Sequence, residues 1–304
     1  MQEIKTPHIP VLFNEVIDTF KDIKEGYIID CTLGYGGHSE GILKANPNIK
    51  LICNDQDNEA LNFSKKRLAP YGDRVIFNCG NFKNVIETFK DKNITGILAD
   101  IGVSSLQLDK NERGFGFDSE TLDMRMDQNQ ELSANEVVNN YSQNELMRIL
   151  KEYGEVKEYK KAASIIVQNR PFRSSKELAE CLSKHMYKGK IHPATLPFQG
   201  IRIEVNNELG VLEQLFTQIE KANFNNTKIA IISFHSLEDR IVKNYFKRWS
   251  QKCICPAHVM RCECGNNNQK GKVLTKKPII PTNIEIKQNP RSRSSKMRVF
   301  HWGV

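Results

Sequence analysis

The sequence predicts an α/β chain, a doubly wound parallel sheet with an inserted helical domain. Three observations predict it. Short apolar runs alternate with helix-like segments through the first hundred residues. The alternation stops after about residue 105 and resumes near residue 206. Three of the apolar runs end at or just before a carboxylate: Asp30, Asp55 and Asp100. In doubly wound sheets, ligands bind outside the carboxyl ends of the strands.

The elements follow in order. Tyr27-Ile28-Ile29-Asp30-Cys31 reads as a strand, followed by a glycine loop and a helix from about Ser39. Residues 50–54 form a second strand ending at Asp55. Residues 58–68 form an amphipathic helix with Ala60, Leu61, Ser64 and Leu68 on one side. Residues 74–78 and 94–100 are further strands, with a helix around 85–89 between them. The next hundred residues carry little strand signal. They read as a loop over 113–127 and helices around 134–138, 143–151, 157–168 and 175–184. Ser174 or Ser175, with Glu177 following, marks a helix start. A helix over 209–222, a strand over 228–234 and a helix over 237–249 then resume the pattern. The helical block is therefore read as an insertion, because three domains in series would leave the fifth strand without a sheet. The expected domains are residues 1–105 with 206–304, and residues 106–205. Residues 265–277 read as a mobile polar loop. Glu285-Ile286 and residues 297–302 read as late strands.

Composition bounds the function. With 304 residues, 39% hydrophobic and 26% charged, the chain can bury a substantial core. No apolar run approaches the roughly 20 residues that cross a bilayer. The opening Met1-Gln2-Glu3-Ile4-Lys5 has no signal-peptide pattern, so a cytoplasmic location and no membrane partner are expected. Cys31, Cys53, Cys79 and Cys181 are expected to be reduced, buried thiols. Charge is uneven. Residues 240–304 hold 15 Lys/Arg against Glu263 and Glu285, while the rest holds 29 against 34 acids. Such asymmetry points to a polyanion, nucleic acid above all; the plain alternative is a solvated basic tail.

The loop Gly34-Tyr35-Gly36-Gly37-His38 follows a strand and opens a helix. Glycine lets backbone approach a ligand closely. The run lacks the full G-x-G-x-x-G spacing, which suits a cofactor without a pyrophosphate, such as S-adenosyl-L-methionine. Taken alone, the loop could equally be a structural turn. Asp55 lies 21 residues after Gly34, where an acid suits ribose hydroxyls. Asp57 is the nearby alternative, but its setting suits a helix cap. Asp100, at the end of the fourth strand, would lie near a reacting methyl or a cofactor amine, or else cap a turn.

At this point the chain closely resembles the bacterial RsmH (MraW) methyltransferase family. The resemblance rests on His8-Ile9-Pro10-Val11-Leu12, the stretches 30–39, 100–107 and 192–209, Glu112-Arg113-Gly114-Phe115-Gly116-Phe117, Leu122-Asp123-Met124-Arg125-Met126-Asp127, Ser233-Phe234-His235-Ser236-Leu237-Glu238-Asp239-Arg240 and Asn289-Pro290-Arg291-Ser292-Arg293-Ser294. It implies a class I (Rossmann-like) methyltransferase fold whose helical insertion helps recognise substrate. It implies methylation of the N4 amine of a cytidine in the decoding region of 16S ribosomal RNA. It also implies cofactor contacts at Gly36, Gly37, His38, Asp55, Phe82, Asp100 and Gln107. Phe82 and Gln107 come from the resemblance alone; unaided, Phe82 reads as core and Gln107 as a solvated loop residue. Two positions depart from the family pattern. Tyr35 stands where glycine or arginine is common, and Asn54 stands where an apolar residue is expected before Asp55.

Asp100 is the candidate to polarise the target amine. The segments 113–117 and 122–127 suit a loop closing over a splayed nucleotide, or a packed linker. Arg291, Arg293, Lys296 and Arg298 are expected to contact phosphates. Ser236 is expected to cap the helix that follows it, with Asp239 completing the start. Cys253-x-Cys255 and Cys262-x-Cys264 bring four thiols together in sequence, enough for zinc, although C-x-x-C is the usual spacing; loop thiols or a disulfide are the alternatives, and no metal is assigned. Partners are 16S ribosomal RNA, free or in the small subunit, with a homodimer left open. The rival reading from another class is a non-catalytic RNA-binding or ribosome-assembly factor that keeps the fold. A methyltransferase acting on another RNA position or on DNA is the rival among enzymes.

Overall fold

The computed structural model describes residues 10–104, 107–108, 110–187, 189–256, 258–259 and 261–303. The motif residues His8, Ile9, Ser105 and Leu106, and the opening Met1 to Lys5, lie outside them. The chain divides into two compact units, Met1–Gly102 with Val211–Val304, and Val103–Gly210.

The strands of the first unit are β1 Tyr27–Asp30, β2 Lys50–Asp55, β3 Val75–Cys79, β4 Ile94–Asp100, β5 Thr227–Ser233, β6 Gly271–Val273 and β7 Lys296–Trp302. Among the described residues these form one sheet in the order β3-β2-β1-β4-β5-β7-β6. The first five strands run parallel. β7 is antiparallel to β5, and β6 is antiparallel to β7, so the expected all-parallel sheet holds only for β1 to β5. The strand order reverses between β1 and β4, the switch point at which such sheets bind ligands. Asp30 pairs in register with Cys53 and Leu98, Asp55 with Cys79, and Asp100 with Ile232. All three carboxylates therefore stand at the carboxyl edge of the sheet.

The helices are, in chain order, α1 Phe13–Phe20, α2 Gly37–Ala45, α3 Asn58–Leu68, α4 Val85–Thr88, α5 Ala134–Asn140, α6 Gln143–Glu152 and α7 Tyr159–Gln168. They continue with α8 Ser175–His185, α9 Thr195–Asn206, α10 Glu208–Ala222, α11 Ser236–Trp249 and α12 Asn283–Gln288. Successive strand side chains point to opposite faces, so the sheet carries two apolar layers. Ile28, Leu51, Leu98 and Ile232 pack with Val16, Phe20, Ile42 and Leu61 on one face. Ile29, Ile52, Ile97 and Ile231 pack with Leu212, Phe216, Phe246 and Trp249 on the other. Aromatic rings consolidate that second layer: Trp249 meets Phe216, Phe300 and Trp302 at centroid distances of 5.5, 5.4 and 4.9 Å. No helix among the described residues is long and apolar enough to cross a membrane.

The second unit builds its own core from α5 to α9, including Val137, Leu146, Ile149, Ile166, Leu178 and Ile201. Its helix starts are written locally. Ser133 with Glu136, and Ser142 with Glu145, form capping boxes for α5 and α6. Ser174, not Ser175, caps α8 by accepting from the Glu177 N–H. The helix α9 carries no cap residue to announce it in sequence.

Several expectations are corrected. Glu285-Ile286 lies in α12, not in a strand. The polar stretch after residue 264 contains β6, whose Gly271 to Val273 pair with Trp302 to Phe300. Cys31 and Cys53 are buried, but Cys79 is exposed and Cys181 only partly covered. Of the two readings left open for 113–117 and 122–127, burial of Arg113, Phe115, Leu122, Met124 and Met126 supports the packed linker. The Arg113 guanidinium donates to the carbonyls of Arg125 and Met126 at 3.2 and 3.1 Å, which satisfies backbone that the irregular path would otherwise strand.

Candidate cofactor and active site

The glycine loop joins β1 to α2, and its residues are dictated by their neighbours. Gly36 is the N-cap of α2 at φ 72°, a left-handed conformation costly for residues with a Cβ. A Cβ at Gly37 would overlap the ring of Pro10. α3 clamps the loop from one side: the Ser64 hydroxyl donates to the Gly34 carbonyl at 2.7 Å, and Arg67 donates to the Tyr35 carbonyl at 3.0 Å. Tyr35 sets its ring edge-on to Phe63 at 4.7 Å. The first amides of α2 lack intrahelical acceptors and carry the positive end of the helix dipole. That is a suitable seat for a carboxylate.

Asp55 is tied to this loop. Its Oδ2 accepts the Gly34 N–H at 2.8 Å and its Oδ1 accepts the Asp57 N–H at 2.9 Å. Each carboxylate oxygen has a second lone pair for a ribose hydroxyl. Burial pushes the Asp55 carboxyl up to about 6 against these two bonds. Asp57 caps α3 through the Glu59 N–H. Asn54, the unexpected polar residue, is fully buried. Its Nδ2 donates to the carbonyls of Cys31 and Gly80, both at 3.0 Å, and its Oδ1 accepts from Asn78. It thus joins the ends of three neighbouring strands, a task that no apolar side chain performs. Phe82 opens the turn Phe82–Asn84 beyond β3 and packs half-buried on the edge of the core.

Asp100 is the most perturbed of the three carboxylates. Burial, then Asp30, then Glu238, push it up to about 8. Its Oδ1 is buried with no hydrogen-bond partner among the described residues, and its Oδ2 lies 3.8 Å from His38 Nδ1. The Thr32 hydroxyl accepts the Asp100 N–H at 2.8 Å and fixes the strand end. His38 is buried, and its Nε2 meets the Val11 carbonyl at 2.9 Å. The imidazole is thereby held by Val11 and faces Asp100. Asp30 is a neighbour that sequence reasoning placed at a strand end without a task. It accepts from Ser39 at 2.7 Å and from the Thr32 N–H at 3.2 Å, and burial lifts it to about 6.

The structure brings Gly36, Gly37, His38, Asp55 and Asp100 to one sheet edge in the first unit. Phe82 follows the neighbouring strand of the same unit. Gln107 belongs to the second unit. It is buried rather than solvated, and its Oε1 accepts the Ser104 N–H at 3.1 Å. Sequence reasoning missed Thr32, Ser39 and Glu238. Thr32 and Ser39 flank the glycine loop, where their hydroxyls were the available signal.

The motif after β5 also resolves differently from expectation. The N-cap of α11 is His235, not Ser236, and Glu238 rather than Asp239 completes the box. Glu238 Oε2 accepts the Phe234 and His235 N–H groups at 2.9 and 3.3 Å. Asp239 is thereby left to hold Arg298, at 2.6 and 3.2 Å, with Lys296 Nζ at 3.5 Å. Arg298 is buried in that pair and is not available to a phosphate, which corrects its expected role. Arg291 and Arg293 stay exposed. A cavity of about 330 Å³ opens beside the end of β5, lined by Phe234, His235, Ile280, Arg293 and Lys296 among others.

Comparison with known proteins bears on this site. The model of the MraW methylase family matches residues 5–302. A "Ribosomal RNA small subunit methyltransferase H" of Aliarcobacter butzleri is 74% identical over 97% of this chain and 98% of its own length. Proteins of the same name from Sulfurimonas denitrificans and Nitratiruptor sp. are 61% and 56% identical, over 97% and 98% of this chain and 97% and 99% of theirs.

Proposed function

The chain belongs to the MraW methylase family, and from that premise we propose that it methylates the N4 amine of a cytidine in the decoding region of 16S ribosomal RNA, with S-adenosyl-L-methionine as methyl donor. The observation that carries the reading is Asp100: a buried, unpartnered carboxylate oxygen at the switch point of a class I methyltransferase sheet, beside a glycine-capped helix start.

The residues present fit the cofactor. Asp100 Oδ1 is an acceptor awaiting a donor, and a Cβ at Gly37 would overlap Pro10 and distort the loop. In this reading Gly36, Gly37 and His38 present backbone to the methionine end, Asp55 takes the ribose hydroxyls and Phe82 lines the adenine. Gln107 is assigned on the resemblance alone. When bound, S-adenosylmethionine supplies an electrophilic methyl on a sulfonium.

The rest is the chain's work. The N4 lone pair of cytosine is delocalised into the ring, so an acceptor at N4–H is needed to localise it. The Asp100 carboxylate, once ionised beside the bound sulfonium, provides that acceptor. As N4 gains a methyl it must lose a proton, and a carboxyl lifted to about 8 by burial is matched to hold it near neutral pH. The cavity beside β5 joins an aromatic ring, Phe234, with the cationic Arg293 and Lys296, a pairing that suits a nucleotide unstacked from its neighbours. The helical unit is assigned to substrate recognition, and a ribosomal substrate places the protein in the cytoplasm.

Mapping methylated cytidines in 16S ribosomal RNA, from cells with and without the gene and from purified small subunits and naked RNA treated with the protein, tests this. One N4-methylated cytidine that depends on the protein is expected. Cofactor binding without any such methylation would favour the non-catalytic assembly factor.

A further inference from the structure

We propose that Cys253, Cys255, Cys262 and Cys264 bind a structural zinc ion that closes the long connection between α11 and β6. The four Sγ atoms all lie within 4.8 Å of one another. Cys253 to Cys262, Cys262 to Cys264 and Cys264 to Cys253 are 3.6, 3.5 and 3.7 Å apart. A tetrahedral zinc with Zn–S bonds of about 2.3 Å requires sulfur–sulfur edges of about 3.8 Å. Disulfides require about 2.05 Å between paired sulfurs, so this arrangement is not that of two bridges. The sequence presents the unusual spacing C-x-C twice; the fold turns the two pairs to face each other.

The backbone is arranged for thiolates. The Ile254 N–H donates to Cys264 Sγ at 3.4 Å, and the Glu263 N–H donates to Cys255 Sγ at 3.3 Å. Such outer bonds orient metal-binding sulfurs and spread their charge. The turn after Cys264 passes through left-handed Gly265 and Asn266, at φ 78° and 55°.

The second argument is energetic. The connection spans the 21 residues 250–270, and none of its described residues is buried. Its ends are tied by the Lys270 N–H to the Trp249 carbonyl at 2.8 Å and the Asn268 N–H to the Lys252 carbonyl at 3.0 Å. Loops of this length without a core of their own are uncommon in compact units. Apolar burial does not order this one, so a cross-link must offset its closure entropy. On binding, the four thiols release four protons and the centre carries two negative charges. The loop carries Lys252, Arg261 and Lys270 against one acid, Glu263, a net charge of opposite sign.

The test is elemental analysis of the full-length protein, purified under reducing conditions without added zinc or a metal column. About one zinc per chain is expected, lost in Cys253→Ser and in Cys262→Ser and retained in Cys79→Ser. Absence of stoichiometric zinc, even after incubation with zinc chloride and a reductant, would overturn the proposal. So would iron in its place, or zinc unchanged by both loop substitutions. A second measurement guards against misfolded variants. Wild-type protein stripped by a chelator should be cut by protease within residues 250–270 at least tenfold faster, reversed by zinc chloride; an unchanged cleavage rate overturns the proposal equally.

Discussion

Asp55 Oδ2 accepts the Gly34 N–H at 2.8 Å, so the acid that follows β2 shapes the loop that follows β1. The carboxylate therefore holds the loop, and the proposed function gives it the ribose as a second task. Asp55→Ala should lose both. A hydrogen bond to a charged group is worth about 1.5–3 kcal/mol, so affinity for S-adenosylmethionine should fall by roughly 10- to 150-fold. Titration calorimetry reads this directly; a change under threefold would contradict the assignment.

Gly37 and Pro10 form a second coupled pair. Gly37→Ala should weaken cofactor binding, because the added methyl displaces either Pro10 or the start of α2. Pro10→Ala opens the space, so the double variant should recover part of the affinity. No recovery in a double-mutant cycle would show that the clash is not the cause.

Asn54→Leu should destabilise the protein despite its apolar, buried site. The change strips the buried Cys31 carbonyl and the part-buried Gly80 carbonyl of a donor. Unsatisfied buried acceptors cost about 1–3 kcal/mol each, so a loss of roughly 2–5 kcal/mol is expected in urea unfolding.

The Asp100 carboxyl, at about 8 in the folded chain against an ordinary 3.8, has a definite linkage sign. The folded state binds its proton more tightly than the unfolded state. Its contribution is therefore most favourable below pH 4 and is lost as pH rises to about 8. Asp30 and Asp55, both at about 6, act in the same direction over a shorter span. The Tm of the cofactor-free protein should fall between pH 6 and 8 more in wild type than in Asp100→Asn. Affinity for the cationic cofactor should rise over the same interval in wild type and stay level in the variant.

The basic segment should separate into two classes. Neutralising Arg291 and Arg293 should weaken RNA binding across sequences and lower the slope of log affinity against log salt by about one for each phosphate no longer neutralised. Arg298→Ala should instead lower stability, because Asp239 loses a bidentate partner at 2.6 and 3.2 Å. Salt-dependent binding and thermal unfolding, run on both variants, distinguish the two.

Much of this protein was legible before any tertiary contact was known. Short continuous apolar runs marked β1 to β5, because strands buried on both faces must be apolar throughout, and helical apolar periodicity marked most helices. The acids at strand ends stood out because each broke such a run. α12 and β6 were not legible: six and three residues are too few for a period to declare itself. Phe82 carried no local mark either, since an aromatic on a core edge and one on a ligand wall look alike in sequence.

The sequence by itself determined the alternating strands, the glycine loop, the 21-residue interval to Asp55 and the four clustered cysteines. These are properties of neighbours along the chain. Tertiary structure alone decided which partner each polar group found. Asn54 was an anomaly until three strand ends met around it. Arg298 read as a phosphate ligand until Asp239 took it, and the Asp100 carboxyl is lifted to about 8 only because burial and two other acids surround it. Desolvation and charge pairing depend on distances across the fold, which residue order does not contain.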